Sequence, residues 1–102
     1  MSVESPTIVA LKQRYKASLP EKIEELVLHI AALNAEGGNG RESLQELHGF
    51  LHRLAGSTGM YGYDDLSALC QSGIKFIQQE DLNNLAAELQ RLREMLEQYA
   101  QG

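Results

Sequence analysis

Leu82-Asn83-Asn84-Leu85-Ala86-Ala87-Glu88-Leu89-Gln90-Arg91-Leu92-Arg93-Glu94-Met95-Leu96-Glu97-Gln98-Tyr99 places Leu82, Leu85, Leu89, Leu92, Leu96 and Tyr99 at alternating steps of three and four. That period puts all six on one stripe of an α-helix. A helix with a single apolar stripe must bury it against other elements, and the upstream sequence supplies them. Leu66, Leu69, Cys70, Gly73, Ile74 and Ile77 mark a second stripe, Leu44, Leu47, Leu51 and Leu54 a third, and Ile23, Leu26, Val27, Ile30 and Leu33 a fourth.

Short polar or glycine-rich joints separate these stretches: Gly37-Gly38-Asn39-Gly40, Tyr61-Gly62-Tyr63-Asp64, and Gln78-Gln79-Glu80-Asp81. Pro6 and Pro20 sit where helices begin, Ser18 and Glu21 have capping-box spacing, and Asn39 with Glu42 repeats that arrangement. A shorter helix is expected around Thr7 to Ala17. No strand pattern, linker, low-complexity tract or fixed-period repeat is present. The expected fold is all-α: an antiparallel four-helix bundle with an additional short N-terminal helix, with residues 1–102 forming one domain.

Composition narrows the function classes. At 102 residues, 43% hydrophobic and 23% charged, the chain can bury a core without a metal or disulfide. Nine Lys+Arg against fourteen Asp+Glu give a net charge of −5 with no basic cluster, which argues against a nucleic-acid partner. Cys70 has no intramolecular disulfide partner, and Met1-Ser2-Val3-Glu4-Ser5-Pro6 lacks the basic and apolar regions of a secretory signal. No apolar run approaches a bilayer span. The expectation is a soluble, cytoplasmic monomer with no membrane contact.

The stretch from Leu44 to Gly59 carries the chemistry. On a wheel of about 100° per residue, Leu44, Leu47, Leu51, Leu54, Ala55 and Thr58 share a core-facing arc, and His52 lies roughly 100° away. Gly49, Gly56 and Gly59 surround His52 at i−3, i+4 and i+7. Each helical glycine costs about 0.5 to 1 kcal/mol relative to alanine, so three on one face point to close approach of something bulky. Alternatively the glycines let a neighbouring helix pack tightly, or Gly56 ends the helix early.

His52-Arg53-Leu54-Ala55-Gly56-Ser57, followed by Gly62 and by Leu66, Leu69 and Cys70, resembles the signature of histidine-containing phosphotransfer (HPt) domains. The resemblance covers the whole chain and implies a four-helix bundle with an extra N-terminal helix. It implies that His52 is the phosphoacceptor through Nε2, that Gly56 leaves room for a receiver domain, and that Gly62 belongs to the turn between bundle helices. Ala55 departs from the pattern, since many members carry a lysine there. The function so implied is that of a phosphorelay intermediate in two-component signal transduction. It would take a phosphoryl group from one receiver-domain aspartate, pass it to another, and meet response regulators and a hybrid sensor kinase. No cofactor would reside in the chain, and Mg²⁺ would be supplied at the partner receiver domain. Neither a P-loop nor a glycine-rich kinase loop occurs, so the chain is read as a phosphohistidine carrier and not as a kinase.

Other polar residues accompany this site. Ser67, Gln71 and Lys75, at i, i+4 and i+8, form a polar stripe that can lie beside it, with Gln71 the first choice to compensate for Ala55. Arg53 points further round the helix and suits steering towards an acidic receiver cleft. His48, one turn before His52, is read as a border residue flanking the site, because a metal site needs further ligands and Gly49 breaks the H-E-x-x-H pattern. No metal site is expected. His29 has no recognisable partner, Cys70 is read as core filling, the aromatics are scattered, and Phe50 falls between core and solvent. The competing reading is a non-phosphorylated helical adaptor or oligomerisation module that uses the Leu82 to Tyr99 seam.

Overall fold

The computed structural model describes residues 5–37 and 39–102. Within them lie α1 (Pro6–Ala17), α2 (Leu19–Ala35), α3 (Arg41–Met60), α4 (Asp64–Gln78) and α5 (Leu82–Gln101). Helices α2, α3, α4 and α5 each pack on the next, and α5 closes onto α2. Short joints reverse the chain each time, giving the antiparallel four-helix bundle and the preceding short helix that the periodicity predicts.

The apolar stripes meet in one core. Leu19, Leu26, Leu47, Leu51, Leu66, Leu85, Leu92 and Leu96 are at most 1% exposed. At about 1.5 to 3 kcal/mol for each fully buried aliphatic side chain, these eight leucines are the main source of stability. Cys70 and Thr58 complete the same layer. The Thr58 hydroxyl donates to the Leu54 carbonyl at 2.7 Å, so its polarity is satisfied within its own helix.

Two helix starts differ from the capping expectation. Ser18 has helical dihedrals (φ −85°, ψ −10°), and its hydroxyl donates back to the Tyr15 carbonyl instead of capping α2. Pro20 has no N–H to continue the ladder, so α1 and α2 form one helix bent at Ser18. The N-cap of α3 is Gly40, not Asn39, and no side chain caps it. The Glu36 carboxylate occupies the space a Cβ at Gly40 would need, and it accepts from the Ser43 hydroxyl at 2.6 Å. An acid over a helix N-terminus is favourable, and it requires glycine beneath it here.

The α3–α4 turn is held by tyrosines distant in sequence. Tyr15 stacks on Tyr61 at 4.4 Å between centroids, Tyr63 meets the edge of Tyr99 at 4.8 Å, and Tyr15 and Tyr63 are 6.0 Å apart. The Tyr15 and Ser57 hydroxyls share a 2.7 Å hydrogen bond, and the Tyr99 hydroxyl donates to Asp65 at 2.7 Å. These aromatics are therefore clustered, not scattered. Gly62, at φ +88°, supplies the left-handed backbone that the turn requires.

Candidate functional site

Helix α3 runs unbroken through Gly56 and Gly59 to Met60, so neither glycine marks an early helix end. Leu47, Leu51, Leu54, Ala55 and Thr58 face the core, while His52 is exposed on the opposite flank. His52 is rigidly carried because its two neighbours towards the core, Leu51 and Leu54, are 0% and 3% exposed. The imidazole thus stands in solvent on a well-packed helix, the arrangement a nucleophile needs when the partner brings the electrophile.

The three glycines around His52 have different surroundings. A Cβ on Gly56 would have no heavy atom within 4 Å, so this glycine leaves open surface one turn from the histidine. A Cβ on Gly59 would stand 3.4 Å from the Ser67 hydroxyl, so Gly59 lies against α4 and permits the close helix contact. A Cβ on Gly49 would stand 3.3 Å from Nη1 of Arg53, whose side chain folds back over that position. Access, helix packing and accommodation of a guanidinium are therefore three separate reasons for glycine on one face.

Ala55 is buried, and its carbonyl accepts from the Ser67 hydroxyl at 2.9 Å, joining α3 to α4 directly beneath the site. Gln71 is exposed, and its amide donates to the same Ser67 hydroxyl at 3.3 Å. The sequence offers Gln71 as a group for the site. In the structure its amide instead extends the α3–α4 tie. Lys75 is exposed in the last turn of α4, where its charge complements the helix C-terminus.

His48 is half-buried in a cleft of about 480 Å³ between the start of α3 and the end of α4, beside Leu44, Gln45 and Ile77. Arg53 borders a separate groove of about 230 Å³ between α2 and α3, with Lys22 and Glu25 on its far wall. His52 lines neither. Phe50, expected between core and solvent, is 3% exposed, and its ring meets that of His29 at 4.9 Å. Phe50 thereby belongs to the α2–α3 contact, and His29 gains the partner that the sequence does not reveal.

Cys70 is fully buried, and burial pushes its thiol up to about 12, which removes it from nucleophilic chemistry at neutral pH. Burial also raises the Tyr15 phenol, an effect opposed by its Ser57 hydrogen bond, and the bond to Asp65 raises that of Tyr99. Among the described residues no three His, Cys, Asp or Glu side chains are grouped to hold a metal ion, and no helix is long and apolar enough to cross a membrane.

The family model of the Hpt domain matches residues 10–102. No curated protein and no solved structure gives a match.

Proposed function

The chain belongs to the Hpt domain family, and from that premise we propose that His52 is its phosphoacceptor, taking the group from a receiver-domain aspartyl phosphate and returning it to another receiver. Membership implies a histidine phosphotransfer role in a phosphorelay. The observation that carries the assignment to His52 is its exposure on a well-packed helix beside the open surface of Gly56. His48 is half-buried and His29 lies against Phe50, so neither offers comparable access.

The reaction follows from imidazole chemistry. With the proton on Nδ1, the Nε2 lone pair attacks phosphorus, the N–P bond forms, and the P–O bond to the aspartate breaks with its electron pair leaving on the carboxylate. The phosphoimidazolium remains high enough in energy for the reverse step. His52 lines neither of the two clefts beside it, so the carboxylates and Mg²⁺ that complete the site would come from the receiver. This chain contributes the nucleophile, its orientation and the clear approach over Gly56.

The proposed partners are response-regulator receivers and a hybrid sensor kinase, met by a cytoplasmic monomeric carrier without kinase activity of its own. The leucine seam that an oligomerisation module would use is occupied internally, since Leu85, Leu89, Leu92 and Leu96 are at most 3% exposed. The test is incubation with Mg²⁺-loaded phosphorylated receivers, scored for acid-labile, base-stable label. Label lost in His52→Ala with an unchanged helical circular dichroism spectrum is expected. Label that persists in that variant, or none from competent donors, overturns the assignment.

A further inference from the structure

Among the described residues Met60 is the most exposed of the large apolar side chains, at 77%. One exposed apolar residue is ordinary, but this one has a particular place on α3. His52, Gly56 and Met60 follow one another at four-residue steps and all three are exposed, so they form one ridge along the outer face of the helix. A Cβ on Gly56 would meet no heavy atom within 4 Å, so the Met60 side chain does not fold over it and the gap towards His52 stays open. At a rise of about 1.5 Å per residue, Met60 lies about 12 Å from His52 along the axis. Even a small transient interface, about 600 Å² on each side, covers a disc of about 14 Å radius. A receiver centred on His52 and Gly56 therefore covers Met60 as well.

We infer that Met60 is an oxidation site that gates phosphotransfer: hydrogen peroxide converts its thioether to the sulfoxide, and the sulfoxide weakens docking of the receiver without altering the chemistry at His52. The inference rests on the relay reading and adds a regulation to the same surface. In the step, a sulfur lone pair attacks one peroxide oxygen, the S–O bond forms and the O–O bond breaks. The proton of the transferred hydroxyl joins the departing hydroxide as water, so sulfur loses the two electrons that the peroxide gains. Sulfoxide reductases supply the return step. The competing sulfur atoms among the described residues are shielded. Met95 is half-buried against the core, and Cys70 is 0% exposed.

Methionine suits a transient interface because its side chain is flexible, apolar and polarisable, and the sulfoxide puts a strongly polar group in its place. Burying that oxygen without a hydrogen-bond partner lowers affinity by about five- to thirtyfold. Met60 stands two turns from His52 and does not reach the phosphoryl group. The receiver concentration at half-maximal transfer should therefore rise by that factor while the maximal rate holds. Phosphoramidate is a donor that needs no protein partner: its P–N bond breaks, ammonia leaves, and the new N–P bond forms on His52. Labelling by that route is indifferent to the state of Met60.

The experiment treats the intact protein with hydrogen peroxide and locates the added oxygen by peptide mass spectrometry. Single-turnover transfer from a phosphorylated receiver is then measured beside labelling by phosphoramidate, with circular dichroism as a fold control. Oxygen is expected on Met60 ahead of Met95, with a rise of about five- to thirtyfold in the half-saturating receiver concentration and unchanged phosphoramidate labelling. Met60→Leu keeps the apolar contact without the thioether, so it should transfer normally before and after peroxide. Met60→Gln carries a polar group there and should dock poorly with no peroxide at all. Oxidation of Met95 before Met60, a peroxide effect that persists in Met60→Leu, normal docking of Met60→Gln, or an equal loss of phosphoramidate labelling overturns the gate. Transfer that is normal beforehand and that peroxide does not slow sinks the gate alone. Untreated protein that takes no label from competent receivers sinks the relay reading and the gate with it.

Discussion

Replacing Gly56 by alanine should make the protein more stable and a poorer phosphoryl carrier. Gly56 lies inside α3, and a Cβ built there meets no heavy atom within 4 Å. The methyl group therefore clashes with nothing and restricts the unfolded chain, a gain of about 0.5 to 1 kcal/mol. For a chain of 102 residues the entropy of unfolding near the midpoint is about 0.2 kcal/mol per kelvin, so Tm should rise by about 2 to 5 °C. Transfer should respond in the opposite sense. The same methyl stands one turn from His52 on the surface a receiver must approach, and a displacement of reacting atoms by about 1 Å can cost on the order of a hundredfold. Gly56→Ala should slow transfer a few-fold, and Gly56→Arg by at least about tenfold, with labelling by phosphoramidate nearly unchanged because that small donor does not use the cleared surface. The assays are thermal melting followed by circular dichroism and single-turnover transfer from a phosphorylated receiver. A lower Tm for Gly56→Ala would refute the open helical environment; a full transfer rate in Gly56→Arg would refute the access argument.

Gly73→Ala should have the opposite effect on stability, because its Cβ would lie 3.0 Å from Cδ1 of Leu51, a side chain that is 0% exposed and has no room to yield. Overpacking of about 1 to 3 kcal/mol outweighs the helix-propensity gain, and a fall in the denaturant midpoint checks it. Cys70 should resist thiol reagents under native conditions and react at a rate set by unfolding. Its folded pKa, pushed to about 12, lies above the ordinary value of 9.0. Its contribution to stability is thus complete below pH 9.0 and declines as pH rises towards 12. A denaturation series across that window should show a steeper loss for the natural chain than for Cys70→Ala; parallel curves would contradict the burial argument.

Much of this fold is legible in the sequence because one physical demand, burial of leucine stripes with a period near 3.6, dominates it. The stripe from Leu82 to Tyr99 sits where its spacing puts it, and so does the core arc of α3. Errors cluster where local chemistry gives way to tertiary context. Ser18 reads as a cap, yet the chain continues helically through it, and its hydroxyl turns back to Tyr15. Asn39 reads as a cap, yet Glu36, four residues before Gly40, places the acid over the helix start from the other side. Phe50 looks like a border residue on an isolated wheel; its burial depends on α2 crossing at His29. The candidate site was partly legible for the same reason. The exposed flank of His52 follows from periodicity. The separate reasons for Gly49, Gly56 and Gly59 need the neighbouring Arg53 and Ser67 side chains, whose directions no spacing rule fixes.

The tyrosine cluster also makes the molecule optically one-ended. The chain has no tryptophan and four tyrosines, and Tyr15, Tyr61, Tyr63 and Tyr99 all lie around the α3–α4 turn and the adjoining part of α1. Intrinsic emission and near-ultraviolet ellipticity therefore come from that end, while the joints near Gly40 and Asp81 are dark. Far-ultraviolet ellipticity averages over every helix. If the two signals separate on heating, tyrosine moving first, α1 peels from the bundle before the leucine core opens; if they coincide, the bent first helix and the bundle melt as one cooperative unit.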